Sequence, residues 1–471
     1  MLSKPQKEGR MSCCDQKLQR TGQPSQLISY SAAVDIVREL ASTRRGESET
    51  LPIDEIVGRV AASDYYCDHN IPAFANSSMD GFAVVSEMTL RASPQNPVRF
   101  EVLGSISAGD PLPASGLHAG AWEIMTGAPI PEGFDAVVKV EDVQVIQSRP
   151  GPSGSSIQPK EIEIYSPLER GQNYRDPGED FSQGALILKR GQWITPEYVL
   201  GLAAVGISEV SVVRKPKVAV ISTGNELLNN AVQGEGKRAL ESRVGSQIPN
   251  STAPFLKAML EKLGAQISFM GSVGDDPHDF INLMNKLLLE CPDIVITTGG
   301  VSMGKHDFIK EALIEMGADI HFHKIRMRPG KPNLLATLPA GLSGGATVFG
   351  LPGNPVSTVV GLRFLVEPYL REWMGRAQEI PLQAKLTEDV NCPPNLTCFY
   401  KATLKMGEPG KMGKEGNSVT VLPGQASFMI SPLLEANAWA MFPDIDVAAG
   451  GAGFGACVDV YPLDSMERIP V

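Results

Sequence analysis

No CxxC pair occurs in this 471-residue chain. Its seven cysteines are scattered and odd in number, so neither a disulfide framework nor a zinc site is readable from them. A reducing compartment, the cytosol, suits such a set best. No apolar run approaches the ~18 residues of a membrane span. The first 28 residues lack the apolar core of a secretory signal. They mix Lys4, Lys7, Arg10, Lys17 and Arg20 with Glu8 and Asp15, and read as a disordered tail, with a transit peptide as the weaker alternative. A basic excess is missing too: 42 Lys and Arg stand against 53 Asp and Glu, a net charge of -11. Nucleic acid and anionic membranes need a basic face and are therefore not expected partners. Small anions stay open, because backbone N–H groups and a few local cations hold an anion inside an acidic protein.

The length allows about three domains, each with its own core. From Leu27 to about Tyr65 the pattern reads as a helix, a short strand and a further helical turn. Ser31 is the expected cap, and Val34, Ile36, Val37 and Leu40 face a core. Cys67 to Tyr165 is rich in Gly and Pro, with short runs such as Phe100-Glu-Val-Leu103 and Ala136-Val-Val-Lys-Val140, and reads as a small inserted β domain. Ser148 to Lys160 is expected to be a loop. Between Val213 and about Gly375, strands at 218–221, 267–273, 293–297 and 347–349 alternate with helices at 255–263, 280–288, 308–316 and 356–373. That alternation predicts a central doubly wound α/β domain with right-handed crossovers. The rest, Gln378 to Val471, reads as a C-terminal β domain. The fold class is multidomain α/β plus β.

Glycine-rich loops follow three of the predicted strands: Ser222-Thr-Gly-Asn-Glu226, Thr297-Thr-Gly-Gly-Val-Ser-Met-Gly304 and Gly350-Leu-Pro-Gly-Asn-Pro-Val-Ser357. Open α/β sheets bind ligands at these carboxyl ends. Glycine lets a backbone approach a ligand closely, and helix N-termini offer free N–H groups to an anion. One such loop is as well read as a plain turn; three with polar residues read as a binding rim. Lys331 sits between a Pro-Gly turn and Pro332, a fixed position suited to anion contact. Arg326 and Arg328 alternate with Ile325 and Met327 and share a strand face, which is either an anion contact or a solvated face. Asp307 stands at the start of a helix, as an ordinary N-terminal carboxylate or as a divalent-cation ligand beside a phosphate.

Pro72-Ala-Phe-Ala-Asn-Ser-Ser-Met-Asp-Gly-Phe-Ala83 and Met125-Thr-Gly-Ala-Pro-Ile-Pro131 are weak signals singly. Joined with the loops they form an ordered set: SSMDGFAV (77–84), AGD (108–110), IMTGAPIPEG (124–133), PGEDF (177–181), VAVISTGNEL (218–227), TTGGVSMGKHD (297–307), RPGKP (328–332) and GLPGNPVS (350–357). In this set the chain resembles the molybdenum insertases, the bacterial molybdopterin molybdenumtransferases and the E domain of gephyrin. The resemblance implies a linking α/β domain (29–65 with 166–212), an inserted β domain (66–165), an α/β molybdopterin-binding domain (213–375) and a β domain (376–471). It implies an elongated homodimer, with a site between the α/β domain of one subunit and the inserted β domain of the other. The upstream adenylyltransferase and molybdoenzyme acceptors are further implied partners. The implied reaction inserts molybdate at the dithiolate of adenylylated molybdopterin, hydrolyses the pyrophosphate bond and releases AMP, with Mg²⁺.

Carried over by motif, Gly299, Gly300, Ser302 and Asp307 hold the nucleotide and pterin phosphate with metal. Lys331, Pro332, Ser357 and Ser427 line the molybdate pocket, with Pro352 and Pro355 in the loop that leads to Ser357. Asp307, Lys331 and Ser357 are the catalytic candidates; Asp80 and Thr126 approach from the partner subunit, and Asp180 and Glu226 are further matched acidic positions. Three positions depart from the family pattern: Asn225 replaces an Asp, Asn250 stands at an expected metal-ligand Asp, and Leu396 aligns with an expected arginine. An amide oxygen binds Mg²⁺ with less charge, and a missing guanidinium removes an anion contact. Two alternatives to an active insertase follow: a non-catalytic dimeric scaffold with a weakened site, and a molybdopterin adenylyltransferase. The inserted and C-terminal β domains disfavour the second.

Overall fold

Val218, Ala219, Val220 and Ile221 are wholly or almost wholly buried. Such a run, apolar on both faces, belongs in the middle of a parallel sheet. A computed structural model places it there and describes residues 27–111, 119–150, 157–228, 246–301, 308–340, 345–407, 416–444 and 451–463. The expected N-terminal tail lies outside these residues except at its end. The chain divides into two compact units, Ser48–Val213 and the remainder on either side of it.

In the larger unit a six-stranded sheet runs in the order Gln266–Val273, Lys217–Thr223, Ile294–Thr298, Thr347–Leu351, Leu334–Thr337, Asp319–His323. The first four strands are parallel, and Leu334–Thr337 is antiparallel to both of its neighbours. The parallel strands and their crossover helices match the alternation in the sequence. The helix Pro277–Leu288 shows why: Asp276 accepts the His278 and Asp279 N–H groups at 2.8 and 3.0 Å, and proline opens the first turn. Phe280, Met284 and Leu287 then form its buried stripe against the sheet. The expected single helix from Val356 to Trp373 is instead Pro355–Gly361 and Glu367–Trp373, joined by a π turn at Leu362–Val366.

The strand Ile325–Arg328 leaves this sheet. It pairs with Thr397–Lys405 and Ile28–Ser29 of a second, seven-stranded sheet. There Thr397–Lys405, Ser418–Val421, Leu382–Leu386, Cys457–Pro462 and Ala438–Phe442 close into a ring, because the first and last of them also pair. Leu386, Cys398, Tyr400, Ala402, Val419 and Val460 are among the side chains that fill it. This is the C-terminal β domain.

Residues 29–47, grouped on sequence with 166–212, belong to the larger unit. Their helix Tyr30–Thr43 packs on Glu367–Trp373. Its cap is Ser29 rather than Ser31: Ser29 is the last extended residue, and its hydroxyl accepts the Ala32 N–H at 3.1 Å. The buried stripe is Ala33, Val37 and Ala41, so only Val37 of the four expected core residues is fully buried. Small residues on this face let the two helices approach closely.

The second unit holds a six-stranded sheet ordered Val143–Pro150, Ile157–Ile164, Val98–Ile106, Ala121–Ile124, Gly81–Val84, Ala136–Lys139. The first two strands form a hairpin that reaches Pro150 and Ile157, so most of the described part of the expected 148–160 loop is paired strand. The strands Ser48–Pro52, Glu209–Val213 and Val60–Ala61 and the helix Pro196–Ala204 also belong to the unit.

Candidate functional site

The three glycine-rich loops leave the carboxyl ends of neighbouring parallel strands. They touch one another. Gly299 N–H donates to the Leu351 carbonyl at 3.0 Å. Gly299 adopts φ +90, and a Cβ there would lie 2.6 Å from the Thr223 carbonyl oxygen, so this crossing point admits glycine alone. A Cβ on Gly353 would in turn stand 3.5 Å from the Gly299 Cα. Thr223 and Thr298 are buried, and the Thr223 hydroxyl donates to the Thr298 carbonyl at 3.2 Å. Gly300 follows Gly299 on the rim, and its carbonyl accepts the Ile309 N–H at 3.3 Å. Ser302 and Asp307 lie outside the described residues; their described flanks, Val301 and Phe308, are both buried.

At the first loop, Asn225 and Asp275 exchange bonds. Asn225 N–H donates to the Asp275 carboxylate at 3.3 Å, and Asp275 N–H donates to Asn225 Oδ1 at 3.2 Å. An aspartate at 225 would set two carboxylates against each other here. Glu226 is exposed, with its carboxylate beside Gly224. Asn250 is buried, and its Oδ1 accepts the Ala253 N–H at 3.1 Å and the Thr252 hydroxyl at 3.2 Å. It therefore caps the helix Thr252–Lys262. Among the described residues no group of three or more His, Cys, Asp or Glu side chains could hold a metal.

Strand alternation around the cationic segment is as expected: Ile325 and Met327 are buried, Arg326 is half-buried and Arg328 exposed. Arg326 Nε lies 3.3 Å from an Asp444 carboxylate oxygen. Arg328 and Lys331 have no ion-pair partner among the described residues. The backbone around Lys331 is held firmly: its carbonyl accepts the Ile325 N–H at 2.8 Å, and the Gly330 carbonyl accepts both the backbone N–H and the Nδ2 of Asn333. Asn333 is fully buried and was missed on sequence, since nothing local to it announces its burial. Lys331 itself is exposed and Pro332 half-buried, so the ammonium is free to meet a ligand.

Pro355, which lacks an N–H, opens the helix Pro355–Gly361. The Thr358 hydroxyl donates to the buried Pro352 carbonyl at 2.6 Å and locks the loop onto the helix. Ser357 is 4% exposed. Val356 N–H donates to the Ser427 carbonyl at 3.0 Å, so the C-terminal domain delivers Ser427 beside Ser357. Leu396 packs on the C-terminal core. Lys401 is fully buried and donates to the Gly424 and Met429 carbonyls. Neither offers a charge to the rim. His323 Nε2 stands 3.2 Å from the Val301 carbonyl, and burial holds its pKa below the usual imidazole value.

In the second unit Asp80 Oδ1 accepts the Thr126 N–H at 2.7 Å and the Thr126 hydroxyl at 2.9 Å. These two bonds hold the exposed carboxyl below the ordinary aspartate range. The Asp180 side chain is exposed, and its N–H donates to the Ile71 carbonyl at 3.0 Å; no described bond joins it to the Asp80–Thr126 pair.

Comparison with known proteins accounts for this combination. Residues 28–206 match the family model "MoeA N-terminal region (domain I and II)" and residues 219–372 the model "Probable molybdopterin binding domain". The molybdopterin molybdenumtransferase of Synechococcus elongatus is 36% identical over 420 residues, 88% of this chain and 96% of that one. That of Bacillus subtilis is 34% identical over 402 residues, 85% and 87% of the two chains. Two crystal structures of the Pyrococcus horikoshii molybdopterin biosynthesis MoeA protein superpose with TM-scores of 0.71 and 0.70, at 28% and 26% identity. Each covers 93% of this chain, and 99% and 100% of its own. The chain belongs to the molybdopterin molybdenumtransferase family, enzymes of molybdenum cofactor biosynthesis.

Proposed function

We propose that this enzyme inserts molybdate into adenylylated molybdopterin and releases AMP. The observation that carries the reading is the meeting of Thr223, Gly299 and Gly353 at adjoining strand ends, with Ser427 brought to Val356 beside them. Such a rim suits a substrate bearing phosphates at one end and an incoming oxyanion at the other. Gly299 and Gly300 would let the backbone approach the nucleotide. Lys331 would hold the molybdate charge while Ser357 and Ser427 orient its oxygens.

A pyrophosphate substrate calls for a divalent cation, and Mg²⁺ is the expected one. Asp307 is its candidate ligand, while Asn250 Oδ1 is engaged in capping its helix. The described residues do not by themselves make a metal site, and no step is assigned to the ion. The same reading carries a cytosolic homodimer in which the second copy supplies Asp80 and Thr126, whose mutual bonding presents an ionised carboxylate at the surface. The upstream adenylyltransferase would deliver the substrate and molybdoenzymes would accept the product.

The test is to supply purified protein with adenylylated molybdopterin, molybdate and Mg²⁺, and to follow AMP. Molybdate-dependent AMP release is expected. No release, from a correctly folded dimer, sinks the reading and favours the scaffold alternative.

A further inference from the structure

The strand Thr397–Lys405 is buried along most of its length, and its alternation gives it two faces. Cys398, Tyr400 and Ala402 fill the ring of the C-terminal domain. Phe399 points the other way, stacks on Phe364 at a centroid distance of 4.1 Å and meets Tyr30 edge-on at 5.0 Å. Lys401 shares the face of Phe399 and is completely buried. Its ammonium is therefore on the strand face turned away from the ring, beside the segment Gly424–Met429.

Its Nζ donates to the Gly424 carbonyl at 2.7 Å and to the Met429 carbonyl at 3.0 Å. No carboxylate pairs with it among the described residues. Burying a cation this way costs desolvation energy, and an apolar side chain of similar length would fill the space without that cost. What the ammonium adds is a grip on both ends of the segment Gly424–Met429. Gln425 ties the same segment to the strand: its Oε1 accepts the Lys401 N–H at 3.0 Å, and its Nε2 donates to the Lys401 carbonyl at 2.9 Å. Gly424 turns with φ +77, and a Cβ there would lie 2.9 Å from Pro432, so the turn has little room for another path. Ser427 sits inside this clamped segment, and its carbonyl holds the Val356 N–H next to Ser357.

We propose that Lys401 is a positioning residue: by gripping Gly424 and Met429 it fixes Ser427 against Val356 and Ser357, and so sets the affinity for the oxyanion bound there without touching it. The identity of that oxyanion as molybdate rests on the function proposed above.

The test uses the full-length parent, Lys401→Met and Lys401→Arg. Amide exchange is measured on the ligand-free proteins, and AMP release is followed as molybdate is varied. In Lys401→Met, exchange across 424–430 should rise about tenfold or more while the strand Lys217–Thr223 stays protected. Half-saturating molybdate should rise about tenfold, with kcat at saturating molybdate within about threefold of the parent. Lys401→Arg should recover part of both effects. Unchanged exchange in Lys401→Met overturns the proposal. So does faster exchange with the parent's molybdate requirement, or a loss confined to kcat and thermal midpoint that arginine does not rescue. Should Lys401→Met fail to fold, Gln425→Ala loosens the same segment and is held to the same outcomes. A parent that releases no AMP defeats the insertase reading alone. The positioning role is then decided by whether molybdate slows exchange across 424–430 in the parent and not in the loosened variant.

Discussion

Asp80 receives both the N–H and the hydroxyl of Thr126 on one oxygen, Oδ1, at 2.7 and 2.9 Å. Two family motifs, 46 residues apart in the chain, thus act as one unit. The bonds favour the charged carboxylate, so Asp80 stays ionised to lower pH than an ordinary aspartate. Thr126→Val keeps the N–H and loses the hydroxyl. The Asp80 pKa should rise, and any acid limb of AMP release governed by Asp80 should move to higher pH with it. Asp80→Ala should lower AMP release more than about tenfold with little change in thermal midpoint. An Asp80 titration that is the same in Thr126→Val and parent would count against this account.

Asn250 offers a sharper choice between two roles. As a metal ligand its loss would raise the Mg²⁺ requirement; as a cap its loss would cost stability. The bonds from Ala253 N–H and the Thr252 hydroxyl favour the cap. Asn250→Ala should therefore destabilise the protein by about 0.5–2 kcal/mol in urea denaturation and leave half-saturating Mg²⁺ unchanged. Asn250→Asp should keep the cap. An unchanged urea midpoint with a raised Mg²⁺ requirement in Asn250→Ala reverses the assignment.

Sequence reading reached the rim because its signals are local. A glycine cluster directly after an apolar run is visible without knowing the partner strand, and Gly299 and Gly353 were found that way. The antiparallel strands Asp319–His323 and Leu334–Thr337 were not, since neither carries a helix between itself and its neighbour to announce it. The faces of Ile325–Arg328 were legible in the sequence, but the sheet it joins was not. Its alternation is written in four residues, whereas its pairing with Met327↔Thr397 register depends on a strand far along the chain. The role of Lys401 was not legible in the sequence. Burial against Gly424 and Met429 is a tertiary fact that no window around it contains.

Two histidines near the sheet edge predict a pH dependence. His321 meets the Thr337 hydroxyl at 3.0 Å and His323 the Val301 carbonyl at 3.2 Å, and burial lowers both pKa values. In the unfolded chain both bind protons near the ordinary pKa of ~6.5. Below that pH the unfolded state takes up protons that the folded state resists, so stability falls as pH drops through this value toward the lower folded pKa. Above it the two states bind alike and the effect vanishes. The urea midpoint should decline between about pH 6.5 and 5.5, and less so in His321→Gln. A midpoint flat over that window in the parent removes the two histidines from consideration.

Leu396 stands where the family resemblance leads one to expect an arginine, and replacing it with one carries a cost and a gain. Its side chain is half-buried and packs against the C-terminal core. Leu396→Arg would give up part of that contact, although the methylene stem of arginine can retain some of it. A cost of about 1 kcal/mol in stability is expected. In return the rim would gain a guanidinium, and a charge-assisted contact to an anion is worth about 1.5–3 kcal/mol, roughly tenfold to a hundredfold in affinity. In the parent, Arg328 and Lys331 are the cations without an ion-pair partner among the described residues of this segment, so the anion depends on them. Lys331→Ala should raise half-saturating molybdate by about tenfold or more with little change in stability, because the turn is held by the carbonyls of Gly330 and Lys331 rather than by the ammonium. Leu396→Arg should lower half-saturating molybdate in the parent background and recover part of the loss in Lys331→Ala. Both backgrounds showing the same molybdate requirement with and without Leu396→Arg would place residue 396 away from the anion, and the family's arginine position elsewhere in the loop before Thr397.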